Sequence, residues 1–108
     1  MSDEKVNKIL ESGTKEEKIS ALEYFANTND PLAINKIISK LDDSDIEVRG
    51  EAFSALVLNE NNISNLLIQN LNSERKNIRG YAALVLANRR NSDAISAITN
   101  LTKDQVEW

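Results

Sequence analysis

The chain contains no cysteine and no histidine. That excludes disulfides, thiolate nucleophiles, imidazole acid–base chemistry and nearly every zinc site. One proline and three glycines in 108 residues leave few places where a helix must break. Aromatics make up only 5% of the chain, and the apolar residues are mostly Leu, Ile, Ala and Val. Strands favour aromatic and β-branched runs bounded by turn clusters, and that pattern is missing, so an all-α fold is expected. No apolar run approaches the roughly 20 residues of a membrane span. The opening Met1-Ser-Asp-Glu-Lys5 is acidic and lacks the basic-then-apolar form of a signal peptide, so a cytoplasmic location is expected. The sequons at Asn62 and Asn100 carry no weight without an export signal.

The length fits one domain, 1–108, with a modest core. Hydrophobic residues make up 41% and charged residues 28%, as in soluble globular proteins. The net charge of −4 is uneven. Residues 1–60 hold 7 Lys and Arg against 13 Asp and Glu, a balance of −6, whereas residues 61–108 stand at +2. A polyanionic partner is therefore disfavoured overall.

The dominant pattern is a repeat. Sliding the sequence by 30 positions lays Arg49-Gly50-x-Ala52 on Arg79-Gly80-x-Ala82, Leu56 on Leu86, Asn61 on Asn91 and Ile68 on Ile98. A competing register, Ala-Leu-Val-Leu at 55–58 against 83–86, leaves the Arg-Gly-x-Ala runs and the pair Leu71 and Leu101 unaligned. Periods of this size are the signature of stacked helical repeats. The units fall at about 10–41, 41–71 and 71–101, preceded by a capping helix at about 2–11. The first unit is 31 residues long and has Lys18 where the later ones have Arg49 and Arg79.

Local signals agree with helices. Val6, Ile9 and Leu10 form one stripe, and Gly13 ends that helix in an expected left-handed conformation. Thr14-x-x-Glu17 reads as a capping box. Asp30-Pro31 supplies an N-cap and a first-turn proline, ahead of Ile34, Ile37, Ile38 and Leu41. Ser44-x-x-Glu47 is a second possible capping box, opening a helix with Val48, Ala52, Ala55 and Leu56 inward. Ile63, Leu66, Leu67 and Leu71 mark a short helix; Ile78, Ala82, Val85 and Leu86 a long one; Ala94, Ile95, Ile98 and Leu101 a last one. No single unit buries its stripe alone, so stacking follows.

The run Leu-Asp-Asp-x-Asp-x-x-Val-Arg-x-x-Ala-x-x-Ala-Leu, from Leu41 to Leu56, resembles the HEAT-like repeats of phycobilisome-lyase-type proteins. Ala-Ile-x-x-Ile-Ile-x-x-Leu, from Ala33 to Leu41, is similar to the second helix of the same family. The resemblance implies a short right-handed α-solenoid of three helix pairs, with first helices on the convex side and second helices on the concave side. It also implies pairing between Arg49 or Arg79 and an acidic turn of a neighbouring unit, with Asp42, Asp43 or Asp45 as acceptors for Arg79. In the third unit Asn72, Ser73 and Arg75 replace the acids of that turn. Members of the family act mostly as binding scaffolds or as chaperone-like partners of enzymes.

The acids Asp42, Asp43, Asp45 and Glu47 are oxygen donors of the kind hard cations take, but EF-hand spacing is absent and helix capping accounts for them. Arg75, Lys76, Arg79, Arg89 and Arg90 form a possible basic patch with only Tyr81 as an aromatic, and Arg89 and Arg90 suit the negative end of their own helix. Gly50 and Gly80 fit either close helix approach or simple duplication. Tyr81, Leu84 and Ala87 lie off the core stripe, an apolar patch of the kind that marks an interface; the far side of the last helix would be covered by a tail fold-back at Val106 and Trp108, by a second copy in a homodimer, or by a partner. The outward row Asn35, Ser39 and Lys40, then Asn65, Gln69 and Asn70, then Ser96, Thr99 and Asn100 is a candidate partner-binding face or a solvated one. The expectation is a non-catalytic protein–protein interaction module that needs no cofactor or metal. An accessory subunit of a modifying enzyme and a nucleic-acid-binding module are the alternatives.

Overall fold

A computed structural model describes residues 3–89, and all regular structure among them is helical. The helices are α1 (Asp3–Ser12), α2 (Lys15–Tyr24), α3 (Pro31–Ser39), α4 (Ile46–Leu58), α5 (Ser64–Gln69) and α6 (Lys76–Arg89). Single 3₁₀ turns, Lys40–Asp42 and Asn70–Asn72, extend α3 and α5. The expected last helix, 94–101, and the tail beyond it lie outside the described residues.

The helix starts follow from local chemistry. Thr14 caps α2: its hydroxyl accepts from the Glu17 N–H at 3.2 Å, while the Glu17 carboxylate accepts from the Thr14 N–H at 2.9 Å. Asp30 caps α3, with Pro31 at the first position. At α4 the cap is Asp45, whose carboxylate takes the Glu47 N–H at 2.8 Å. The expected Ser44–Glu47 box gives way because Asp45 sits one residue nearer, and the Asp43 carboxylate fixes the turn by accepting from the Asp45 N–H.

The stripes read from the sequence form one cluster. Ile34, Ile37, Ile38 and Leu41 are at most 1% exposed; Val48, Ala52 and Leu56 are fully buried, as are Ala82, Val85 and Leu86. Helix α2 packs against α4, and α4 against α6; α1, α3 and α5 contact one another in the same order. Each short helix also lies on the long helix that follows it, α3 on α4 and α5 on α6. The sequence units therefore interlock across their boundaries. Principal extents of 45 × 26 × 18 Å make the assembly about two helix diameters thick in its shortest direction.

The glycines behave differently from one another. A Cβ on Gly13 would stand 2.6 Å from the Ile9 carbonyl oxygen, the same oxygen that accepts the Gly13 N–H. Close approach, not the expected left-handed backbone, is what excludes a side chain there. At Gly50 and Gly80 a Cβ would meet nothing within 4 Å, which removes close helix packing as their reason. Gly50→Ala and Gly80→Ala should therefore each stabilise the fold by about 0.5–1 kcal/mol, whereas Gly13→Ala should cost about 1–3 kcal/mol through overpacking. Thermal unfolding checks both signs, since about 1 kcal/mol moves the midpoint of a domain this size by several degrees.

Candidate functional site

The acidic turn before α4 is fully assigned. The Asp43 carboxylate, 5% exposed, accepts from Lys18 Nζ at 2.9 Å; the lysine side chain is 18% exposed. Asp42 takes Arg75 Nη1 at 2.7 Å and Asn77 Nδ2 at 3.0 Å. Glu47 pairs with Lys15 at 3.3 Å, and Asp45 is the cap. These acids thus join the turn to α2 on one side and to α6 on the other. Among the described residues no group of three or more carboxylates converges on one point as a metal site would require.

Arg49 and Arg79 do not make the expected pairing across units. Arg49 Nη1 donates to the Asp43 carbonyl and Arg79 Nη1 to the Ser73 carbonyl, both at 2.7 Å. Each arginine closes the turn six residues before it. In the first unit the residue standing in the arginine position, Lys18, does cross to an acid of the next unit, as Lys15 does beside it.

Burial alone would push the Asp43 carboxyl up, but the Asp45 N–H and the Lys18 ammonium outweigh it and hold the group below the usual carboxylate value. Lys40 is pushed down, first by burial and then by Lys18 and Lys36, with Asp43 and Glu11 opposing. Lys36 is bonded to Glu11 at 2.8 Å.

Most of the basic patch is taken up in a similar way, while Lys76 stays exposed with no partner among the described residues. Arg75 is on Asp42 and Arg79 on Ser73. Arg89 reaches back to the end of α4, not to its own helix: Nη1 donates to the Leu56 carbonyl at 2.8 Å and the Asn59 carbonyl at 2.6 Å, and Nη2 to the Asn61 carbonyl at 2.7 Å. Arg90 lies outside the described residues. One period earlier Asn59 does the same for the loop that leaves α2. Its Nδ2 donates to the Ala26 and Thr28 carbonyls at 3.3 and 2.8 Å. Asn61 Nδ2 joins it on the Asn27 and Thr28 carbonyls. These bonds between units were hidden in the sequence because Asn59 and Arg89, 30 positions apart, are different residue types doing one job.

What remains unclaimed lies on the outer face of α3 and α5. Asn35, Ser39, Asn65 and Gln69 are exposed, as expected of the row. Ser96 and Asn100 lie outside the described residues. Leu32, absent from the expected row, is 79% exposed and lines a shallow depression with Asn35, Lys36 and Ser39. Of the off-stripe residues on α6, Leu84 is 53% exposed, but Tyr81 is half-buried, its ring edge-on to Phe53 at 6.2 Å. No family model, curated protein or solved structure matches the chain. No helix among the described residues is long and apolar enough to cross a membrane.

Asp43→Asn should lower the thermal midpoint by several degrees at pH 7, because it leaves Lys18 without its carboxylate; hydrogen bonds to charged groups contribute about 1.5–3 kcal/mol. The stabilising effect of a depressed carboxyl is present above its unfolded value, near 3.9, and is lost as pH falls through the lower folded value. Denaturation curves should therefore show the gap between native protein and variant narrowing below about pH 4. Arg89→Met, which keeps the stem and deletes the donors, should cost about 1–3 kcal/mol at every pH where the protein is folded, leaving buried carbonyls unpaired; urea titration measures it.

Proposed function

We propose that this chain is a non-catalytic protein–protein interaction module, built as a short right-handed α-solenoid of HEAT-like helix pairs. The packing order of α2, α4 and α6 and of α1, α3 and α5, two helices deep, supports the solenoid reading. The observation that carries the interaction reading is the contrast between faces. Most of the cations and acids of the turns between units are held in bonds across helices or within their own turns, whereas α3 and α5 present Leu32, Asn35, Ser39, Asn65 and Gln69 outward side by side. An exposed leucine set in a row of uncharged hydrogen-bonding groups has the composition of a recognition surface, with apolar contact and adaptable polar contact together.

The same contrast weakens the nucleic-acid alternative. Phosphate binding needs cations that are available, and Arg75, Arg79 and Arg89 already hold protein acceptors. The tagged full chain, used as bait in extracts of its native cell, should recover a defined protein that is lost from a Leu32→Asp/Asn65→Arg variant whose circular dichroism is unchanged. If nothing protein is recovered, or if recovery ignores the two substitutions, the interaction reading through this face fails; retention on RNA or DNA at low salt would put the nucleic-acid reading in its place.

A further inference from the structure

Of the four partly buried lysines among the described residues, Lys15, Lys18, Lys36 and Lys40, only Lys40 has no carboxylate hydrogen-bonded to it. Where α1, α2, α3 and the turn before α4 meet, three lysines crowd around two acids. Lys18 is bonded to Asp43 and Lys36 to Glu11. Lys40 feels all four groups, yet its ammonium has no hydrogen-bond or ion-pair partner among the described residues. The local balance is thus one cation in excess, on a half of the chain whose overall balance is −6.

Lys40 follows Lys36 by four positions and Leu32 by eight, so the three share one stripe of α3 and its 3₁₀ extension. The stripe is about 12 Å long at a helical rise of 1.5 Å per residue. One end is the exposed Leu32 and the other the unpaired ammonium, with Asn35 and Ser39 between them. A half-buried cation with no partner is poorly solvated, and an incoming carboxylate improves its surroundings more than it would for a lysine in open water.

We propose that this stripe of α3 docks an acidic segment of a protein partner, with a carboxylate on Lys40 and an apolar side chain over Leu32. The proposal rests on the reading of the chain as an interaction module and narrows that reading to a class of partner. A protein segment fits better than an anionic membrane or a nucleic acid. Those surfaces need several cations at once, whereas Lys18 and Lys36 are already neutralised and Glu11 and Asp43 stand beside them.

The test is selection of a displayed random twelve-residue peptide library on the full chain, followed by affinity measurement on variants. Enriched peptides should carry Asp or Glu together with a large apolar residue, about four positions apart if bound extended. Binding should weaken about tenfold in Lys40→Ala, a change of the order that removing one charged contact produces. It should recover in Lys40→Arg, weaken in Leu32→Ala and fall as salt rises. Peptides that bind equally well to Lys40→Ala and Leu32→Ala overturn this surface and leave the interaction reading standing. Enrichment of basic peptides overturns the charge assignment. If the library enriches nothing and the native-cell bait also recovers nothing, both readings fall together.

Discussion

The backbone that leaves a long helix carries carbonyls that no helix pairs, and in this chain donors for them come from the next unit. Asn59 and Asn61 hold the carbonyls of the loop that leaves α2, and Arg89 holds those of the last turn of α4 and the loop after it. The need is general, since buried backbone oxygens left without donors cost about as much as a lost hydrogen bond. The consequence is particular to this arrangement: the exits of α2 and α4 depend on the residues that end α4 and α6. Asn59 shows how completely the device is used. It is 4% exposed, its amide nitrogen serves two carbonyls of the preceding unit, and its oxygen accepts from Asn61. Arg89 performs the larger version with one guanidinium, whose burial disfavours the charge and whose three carbonyl contacts offset that.

At the opposite end of the long helices the joints are ionic. Lys15 and Lys18 reach forward from α2 to Glu47 and Asp43, and Arg75 reaches back from the start of α6 to Asp42. These contacts are unequal. Arg75 is 70% exposed and Glu47 63%, so their pairs sit in the range of about 0–1 kcal/mol typical of surface bridges. Lys18 and Asp43 are mostly buried, and the same carboxylate also holds the Asp45 N–H. That pair matters most because its loss would leave a sequestered ammonium and an unsupported turn together. The aliphatic stripes supply the bulk of the stabilisation, while the two sets of polar joints set the register in which neighbouring helices meet.

How legible this was depended on range. Ile34, Ile37, Ile38 and Leu41 announced α3 because a 3.6-residue period is written within a few residues, and the box at Thr14 and Glu17 is equally local. The cap of α4 was missed by one residue because Ser44 and Asp45 are both good caps, and only the Asp43 bond to the Asp45 N–H decides between them. The arginine contacts were not legible at all. An arginine spans several ångströms with five donors, and nothing in the spacing of Arg49 or Arg79 says whether it will take a side chain across the joint or a carbonyl in its own turn. Arg89 looked like a helix-end cation because the dipole argument sees only its own helix, whereas the carbonyls it serves are about 30 residues earlier in the chain.

The candidate site emerges by subtraction, and that has a physical reason. In a stack of short helices most polar side chains are needed for the joints, so a group the joints leave idle stands out. The four acids of the α4 turn each have a donor, Arg75, Arg79 and Arg89 each have an acceptor, and Lys18 and Lys36 each hold a carboxylate. Against that background Leu32 keeps most of its surface in water, and Lys40, partly buried, has no carboxylate hydrogen-bonded to it. Neither residue belongs to the part of the pattern that recurs every 30 positions: the positions 30 later hold Asn62 and Asn70. Asn70 instead turns its amide inward to the Leu66 carbonyl. The repeated residues build the stack, and the two that break the repeat on α3 stand on an outward stripe that joins exposed apolar surface to a partly buried ammonium with no bonded carboxylate.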